Sequence, residues 1–233
     1  MFDPIELASA TRRIVAQNGK RKYYRFRYAG FYGGIATGDC VGCNLRCAFC
    51  WAWNVVHQPE KIGRFYSPEE VAEKLSSIAE KKGAGQVRIS GNEPTIAKEH
   101  LLSVLDTLSP DLRFILETNG TLIGHDEDYA KDLAPYKNLH VRVSLKGSSP
   151  EEFSKLTGAK PDAYELQFRA LENLIANGVS CHPAIMTFEH SEYVKKRLEK
   201  IDPTLPLQLE EEYLIRYPAV LERLRKLGIR EVE

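Results

Sequence analysis

Four of the five cysteines in this 233-residue chain fall within twelve residues, at Cys40, Cys43, Cys47 and Cys50. Clustered thiols in a cytosolic protein bind metal more often than they pair as disulfides. The spacing therefore predicts a metal centre, and its chemistry depends on which of the four thiolates hold the metal.

Three spacings compete. Cys40-x2-Cys43 with Cys47-x2-Cys50 could form a zinc site, but zinc sites usually separate their two pairs by about a dozen residues or more. A ferredoxin-like site would use all four thiolates on iron, although that pattern usually ends in Cys-Pro and here ends in Cys50-Trp51. The third spacing is Cys43-x3-Cys47-x2-Cys50, with Phe49 directly before the last cysteine.

The third spacing resembles the signature of the radical S-adenosylmethionine (SAM) superfamily. In that family three thiolates hold a 4Fe–4S cluster, and the open iron binds SAM and passes it an electron. The resemblance implies Cys43, Cys47 and Cys50 as cluster ligands and a 5′-deoxyadenosyl radical that abstracts hydrogen, which is chemistry that a cofactor supplies. If Cys40 were a fourth ligand, the chain would instead be a non-catalytic electron carrier.

A second element resembles the same family. The stretch Ser90-Gly91-Asn92-Glu93-Pro94 is similar to the Gly-Gly-Glu-Pro element that binds the amino group of SAM. Asn92 replaces the second glycine, and asparagine tolerates a left-handed backbone. The alternative is an ordinary strand-to-helix turn in which proline opens the helix.

Two strand ends resemble those of the glycyl-radical-enzyme activating enzymes, which hold SAM and its ribose. They are Leu116–Gly120 and Val143–Gly147. By this resemblance Lys146 binds the SAM carboxylate, and Ser144 stands where aspartate is common. The remaining SAM candidates implied by the resemblance, or by an inward position on a strand, are Phe49 (against adenine), Glu117, Asn119 and His182.

Several large polar or aromatic residues follow the cysteines in Trp51–His57. They could line a substrate pocket, or the tryptophans could shield the cluster from water. Arg142 lies on a polar strand face. Glu210 and Glu212, near the last predicted strand end, could recognise a cationic group or simply face water. The substrate candidates are therefore Trp51, Trp53, Asn54, His57, Arg142 and Glu210.

Strand and helix patterns alternate from residue 35 onward. Parallel strands linked by helices are the expected result. The predicted strands are 35–37, 86–90, 113–117, 139–145, 180–186 and 205–210. The predicted helices are 5–17, 68–82, 97–108, 126–134, 162–177, 191–200 and 217–227.

These strands carry one apolar and one polar face, as in Val141-Arg142-Val143-Ser144-Leu145-Lys146. A closed, side-chain-filled barrel could not solvate such polar residues. We therefore predict a partial (β/α)6 TIM-like barrel with a polar interior. The predicted organisation is a single domain over 1–233, with an N-terminal helix and strand extension over 1–32, the barrel over 33–212 and a C-terminal helix over 213–233.

Tyr24, Phe26 and Tyr28 alternate with Arg25 and Arg27, which predicts a strand with its aromatic residues inward. Basic residues between aromatic ones could bind nucleic acid. The alternative is a solvated edge strand whose arginines discourage edge pairing.

Equal numbers of acidic and basic residues give a net charge of zero, which argues against a protein built mainly for nucleic acid or membrane surfaces. The sequence has no long apolar run and no signal-peptide pattern, so we expect a cytoplasmic protein. The resemblance to radical SAM enzymes implies hydrogen-atom abstraction from a C–H bond, with flavodoxin or ferredoxin as electron donor and a protein or peptide as the possible substrate. A radical SAM enzyme that modifies tRNA is the alternative.

Overall fold

The computed structural model of the protein describes residues 1–229. They form an α/β fold around one mostly parallel sheet. The strands are β1 Ala16–Gln17, β2 Lys20–Ala29, β3 Ile35–Cys40, β4 Arg64–Tyr66, β5 Gln86–Ser90, β6 Arg113–Thr118, β7 Leu139–Lys146, β8 Cys181–Met186 and β9 Glu210–Glu211.

Helices follow most of these strands. The α-helices are α1 Pro4–Val15, α2 Trp53–His57, α3 Pro68–Lys82, α4 Lys98–Thr107, α5 Thr121–His125, α6 Glu127–Leu133, α7 Pro150–Thr157, α8 Tyr164–Ala176, α9 Glu192–Ile201 and α10 Pro218–Lys226. Short 3-10 helices cover Phe31–Gly33, Pro94–Ala97, Pro161–Ala163 and Leu205–Gln208.

The strand order is β1-β2-β3-β5-β6-β7-β8-β9, and β4 also pairs with β2. Neighbouring strands from β3 to β9 are parallel, whereas β2 runs antiparallel to β3. Within residues 1–229, β9 does not pair back onto the first strands, so the barrel is open. The predicted partial barrel of six parallel strands is confirmed.

Alternation along the strands sorts their side chains as the sequence predicted. Val141, Val143 and Leu145 point outward and are fully buried in the core between sheet and helices. Arg142 and Lys146 point inward from the same strand. The inner face of the sheet is therefore polar.

The prediction of a strand over 205–210 is wrong. Residues Leu205–Gln208 form a 3-10 helix, and only Glu210–Glu211 pair with β8. Pro206 has no N–H for a strand ladder, and Leu207 is 88% exposed, so the leucine alternation here does not mark a buried face.

The prediction that β2 is a solvated edge strand is met only in part, because among residues 1–229 its segment Arg25–Ala29 pairs with β3 alone, whereas Arg21–Tyr23 pairs with β4. β2 pairs with β1 and β3 along one edge and with β4 along the other. An irregularity between Tyr23 and Arg25 shifts the register. Phe26 consequently stacks on Tyr23 at 5.3 Å, while Arg25 and Arg27 turn toward the inside of the barrel.

Helix α10 matches the predicted helix 217–227. The last residues of the predicted C-terminal segment 213–233, residues 230–233, lie outside the described part of the chain. Helices α2 and α5 are five residues each and were not predicted, because one turn carries too little periodicity.

Candidate active site

The inner face of the sheet and the carboxyl ends of its strands enclose a cavity of about 820 Å³. Cysteine, glycine-turn and polar strand residues, far apart in sequence, meet there. The candidate residues that line it are Cys43, Cys47, Phe49, Cys50, Trp51, Gly91, Asn92, Glu93, Glu117, Asn119, Arg142, Ser144, Lys146 and Glu210.

Three of the clustered thiols reach this cavity from the loop that follows β3. Burial raises the pKa of Cys47 to about 12, despite the opposing charge of Lys146. Burial also raises the pKa of Cys43 and Cys50. The thiols are thus protonated at neutral pH without a metal, and metal binding would release their protons.

Cys40 lies elsewhere. It is the last residue of β3, where side chains alternate between the two faces of the sheet. Asp39 points into the barrel and Cys40 into the apolar core, where its Sγ accepts a hydrogen bond from Arg21 Nη2 at 3.4 Å. The zinc site and the ferredoxin-like site, which would need Cys40 as a fourth ligand, therefore do not fit this structure.

The cysteine loop is joined to the turn after β5 by backbone and side-chain hydrogen bonds. Gly42 N donates to Asn92 Oδ1 at 2.8 Å, and Glu93 N donates to Gly42 O at 2.9 Å. The tolerance of asparagine for a left-handed backbone is not used at Asn92, because the positive φ, +99°, is at Gly91. A Cβ at Gly91 would lie 2.9 Å from Asp39 Cβ, so only glycine fits this close approach.

The Glu93 carboxylate organises the next strand end. It is 1% exposed and accepts hydrogen bonds from Thr95, from Thr118 Oγ1 at 2.7 Å and from Asn119 N at 2.8 Å. Pro94, which does not line the cavity, begins the 3-10 helix beyond it.

Asn44, between the first two cavity cysteines, links the same loop to β6. Asn44 Nδ2 donates to Thr121 Oγ1 at 2.8 Å, and Asn119 Nδ2 donates to Asn44 Oδ1 at 2.8 Å. The cysteine loop, the glycine turn and the end of β6 are therefore one hydrogen-bonded unit.

A buried ion network lies at the end of β7. Lys146 Nζ donates to Ser144 Oγ and to Glu212 Oε2, and Ser144 Oγ donates to Glu212 Oε1. Burial raises the pKa of Glu212. The charges of Lys146 and Arg142 and the Ser144 hydrogen bond lower it by more than burial raises it, so the pKa falls to about 2. Glu212 is therefore ionised and balances two cations.

Arg142 extends this network across the cavity. Its guanidinium makes two 2.8 Å hydrogen bonds to Glu210 and one of 2.8 Å to Glu212. His182 lies outside the cavity: it contacts His140 at 2.6 Å and Glu210 at 3.4 Å. Burial lowers the pKa of His182, so its imidazole is neutral at pH 7.

The wall of the cavity opposite the β7 network is formed by β2 and is cationic. Arg25 Nε and Arg27 Nε donate to the same oxygen of Asp39, at 2.6 and 2.8 Å. Asp39 is fully buried, whereas the two arginine side chains are 41% and 26% exposed. Because two guanidinium groups share one carboxylate, this wall has a net positive charge. The charge of Arg88, beside them, is balanced by Glu117 at 2.5 Å.

Aromatic residues divide between the cavity and helix α10. Trp51, 39% exposed, lines the cavity near Arg25, and Phe49 lies under the Lys146 ammonium. Trp53, Asn54 and His57 lie outside the cavity. The reason is that α2 turns Trp53 toward Arg223 of α10, which stacks on it at 4.2 Å, and His57 stacks on Trp53 at 3.8 Å.

Several residues that build this site were not among the predicted site residues: Arg25, Arg27, Asp39, Asn44 and Arg88. The alternation of side chains along β3 and β5 was a usable signal for Asp39 and Arg88, whereas the direction of Arg25 and Arg27 depends on how β2 pairs. Asn44 lies in a loop, where no period indicates its direction. Glu212, which the sequence grouped with Glu210 as a possible partner of a cationic group, binds Arg142 and Lys146.

An open parallel barrel that collects three half-buried thiols at one edge of a polar cavity is typical of an enzyme that holds an iron–sulfur cofactor. Residues 39–200 match the family model described as the radical SAM superfamily. This is more than half of the chain, and the chain belongs to that superfamily.

Among curated proteins, the chain is similar to the probable GTP 3′,8-cyclase of Methanosarcina mazei, with 31% identity over 156 residues, 64% of this chain and 45% of that protein. It is also similar to the probable GTP 3′,8-cyclase of Thermococcus kodakarensis, with 28% identity over 209 residues, 82% of this chain and 65% of that protein. The chain thus spans about half to two thirds of the length of these relatives. They do not confirm the activating-enzyme subgroup.

Solved structures share the fold. Streptococcus suis SuiB bound to S-adenosylmethionine has a TM-score of 0.56 and 20% identity, over 81% of this chain and 44% of that one. Native anSMEcpe with bound AdoMet has a TM-score of 0.53 and 22% identity, over 80% of this chain and 55% of that one. Among residues 1–229, no helix is long and apolar enough to cross a membrane.

Radical SAM enzymes bind a 4Fe–4S cluster and SAM, and the residues of this cavity fit both. Cys43, Cys47 and Cys50 line it without Cys40, which is the donor set of a cluster with one open iron. Gly91 leaves a close-packed turn beside them that a side chain would fill.

Proposed function

We propose that this radical SAM enzyme abstracts a hydrogen atom from a C–H bond of an anionic small molecule, with a nucleotide as the first candidate. The observation that carries the proposal is that the three thiols, the glycine turn and the Arg25/Arg27 wall open onto one cavity. The name of the relatives, GTP 3′,8-cyclase, agrees with an anionic nucleotide substrate.

The residues have separate tasks in this proposal. Cys43, Cys47 and Cys50 hold the cluster, and the turn from Gly91 to Glu93 holds the amino end of SAM. When bound, the cluster and SAM together supply a 5′-deoxyadenosyl radical after one electron arrives from a flavodoxin or ferredoxin.

The side chains of the β-strands orient SAM within the cavity. Lys146 has one N–H left after its bonds to Ser144 and Glu212, and it directs that N–H to the SAM carboxylate. Asn119 binds the ribose, and Phe49 contacts the adenine. Glu117 acts here by holding Arg88 in place.

The substrate lies against the opposite wall. Arg25 and Arg27 each use Nε on Asp39, so the terminal nitrogens of Arg25 can bind a phosphate or carboxylate. Trp51, exposed beside Arg25, offers a ring on which a planar base can stack. Arg142 and Glu210 line the cavity between the SAM side and the Arg25/Arg27 wall.

A partner protein or peptide is the second candidate substrate. It is favoured by exposed aromatic and aliphatic side chains that line the cavity, namely Phe31 at 61%, Tyr213 at 93%, Ile215 at 42% and Tyr217 at 54%. Such a rim suits a segment of another chain. A tRNA substrate has only the basic wall in its favour.

The test is anaerobic incubation of the reconstituted protein with dithionite and SAM, followed by measurement of 5′-deoxyadenosine. We expect slow cleavage without substrate and none in Cys47→Ala. SAM cleavage that survives Cys47→Ala would overturn the cluster assignment.

The substrate class is tested with the double variant Arg25→Gln/Arg27→Gln. It should keep uncoupled SAM cleavage but lose the acceleration that nucleoside triphosphates give to the wild type. If nucleotides and other phosphorylated compounds fail to accelerate the wild type, while peptides do, the second candidate replaces the first.

A further inference from the structure

Arg21 is a buried cation beside the proposed cofactor site, and the proposed function gives it no role. It lies on β2, is 1% exposed, and has no carboxylate among its hydrogen-bond partners in the described part of the chain. Its Nε and Nη1 are buried and have no hydrogen-bond partner among residues 1–229. An unpaired buried cation destabilises a fold, so a merely packing role would be better served by an apolar side chain.

Among residues 1–229, one nitrogen of Arg21 makes all of its side-chain hydrogen bonds. Nη2 donates to Glu93 O at 2.7 Å, to Val41 O at 3.3 Å and to Cys40 Sγ at 3.4 Å. Val41 belongs to the cysteine loop and Glu93 to the glycine turn. Arg21 therefore bridges the two segments that the proposed function gives to the cluster and to SAM.

The bridge complements the direct contacts between these segments. The bonds from Gly42 to Asn92 and from Glu93 to Gly42 fix the near sides of the loop and the turn. Arg21 fixes the carbonyl of Glu93, so the peptide plane after Glu93 has one orientation. A charged donor forms stronger hydrogen bonds than a neutral donor does.

We propose that Arg21 is a positioning residue: it sets the turn Gly91–Glu93 relative to the cysteine loop, so that SAM binds in register with the cluster. The proposal rests on the proposed function of these two segments. It predicts that loss of Arg21 weakens SAM binding while the cluster and the fold persist.

The test is Arg21→Met in the anaerobically reconstituted holoenzyme. We expect a KM for SAM at least tenfold above that of the wild type in the uncoupled reaction, with iron and sulfide content and melting temperature close to wild type. The change that SAM causes in the paramagnetic spectrum of the reduced cluster should need correspondingly more SAM.

Two further variants sharpen the result. Arg21→Lys keeps a cation that can reach the carbonyl groups, and it should restore the KM for SAM to within about threefold of wild type. Lys22→Met is the matched control, because Lys22 is also a buried β2 cation, but its Nζ donates to Pro59 O and Glu60 O. It should leave the KM for SAM unchanged.

An Arg21→Met protein with wild-type KM and spectrum would overturn the proposal. If Arg21→Met does not fold, Arg21→Gln provides the same comparison, and a wild-type KM in that variant would equally overturn it. Failure of the wild type itself to cleave SAM would contradict the proposed function instead, so the two failures are distinguishable.

Discussion

Glu212 should stabilise the fold through its charge. Its side chain is 16% exposed and lies within hydrogen-bond distance of Arg142, Ser144 and Lys146. Glu212→Gln keeps the shape of the side chain and removes the charge that balances Arg142 and Lys146. Those two cations are only 10% and 11% exposed, so water cannot replace the carboxylate.

The magnitude follows from the pKa. Folding lowers the pKa of Glu212 from 4.5 to about 2. At about 1.4 kcal/mol per pKa unit, the carboxylate contributes about 3 kcal/mol of stability at neutral pH. For a chain of this size that corresponds to a fall in melting temperature of roughly 6–12 °C in Glu212→Gln.

The pH dependence gives the sign. A carboxylate whose pKa is lowered by folding stabilises the protein above its unfolded pKa, here 4.5, and loses that contribution as the pH falls toward 2. The difference in unfolding free energy between wild type and Glu212→Gln should therefore be constant from pH 7 to about 5.5 and fall to about half at pH 3.

The assay is urea unfolding of the metal-free proteins, followed by circular dichroism from pH 7 to pH 3. Glu211→Gln is the matched control, because Glu211 is an exposed neighbour on β9, and its effect should stay within about 0.5 kcal/mol. A Glu212→Gln protein as stable as wild type at pH 7, or a difference that does not shrink in acid, would refute the reasoning.

Three other substitutions test the frame of the site. Gly91→Ala should destabilise by about 3 kcal/mol or more, because its Cβ would meet Asp39 at φ +99°, whereas Gly85→Ala, with open space around it, should be nearly neutral in the same melting experiment. Asn44→Ala, which breaks three buried hydrogen bonds, should cost about 2–3 kcal/mol by urea unfolding; a loss below about 0.5 kcal/mol would contradict this. Cys40→Ala should retain the iron content of wild type after reconstitution, while Cys50→Ala should lose it; equal loss in both would bring back the four-thiolate carrier.

The sequence predicted the barrel because hydrophobic alternation and helix capping are local signals. Ser67 and Glu70, for example, form the predicted capping box at the start of α3. The same alternation correctly placed Arg142, Ser144 and Lys146 on the inner face of the sheet. Signals of this kind depend on neighbours in the chain, so they can be read from one sequence.

Long-range partners could not be read in this way. The register shift after Tyr23 decides that Arg25 and Arg27 face the cavity, and pairing with β3 and β4 determines that shift. Glu212 reaches the cavity because its N–H donates to Ile185 O at 2.8 Å, which keeps it beside β8, on the same side as Glu210. The alternating leucines before it predicted a strand, but Pro206 and the exposed Leu207 belong to a 3-10 turn.

Arg223 binds helix α10 directly to the cysteine loop. Its guanidinium donates to Ala48 O at 2.8 Å and to Cys50 O at 2.7 Å, and its face covers Trp53. Order in the loop and docking of the helix are thus thermodynamically linked, and each stabilises the other. Binding of iron by the three thiols should therefore protect α10 from protease cleavage. The rate at which a protease cleaves this helix, which is far from the cysteines in sequence, would then report how completely the metal centre is assembled.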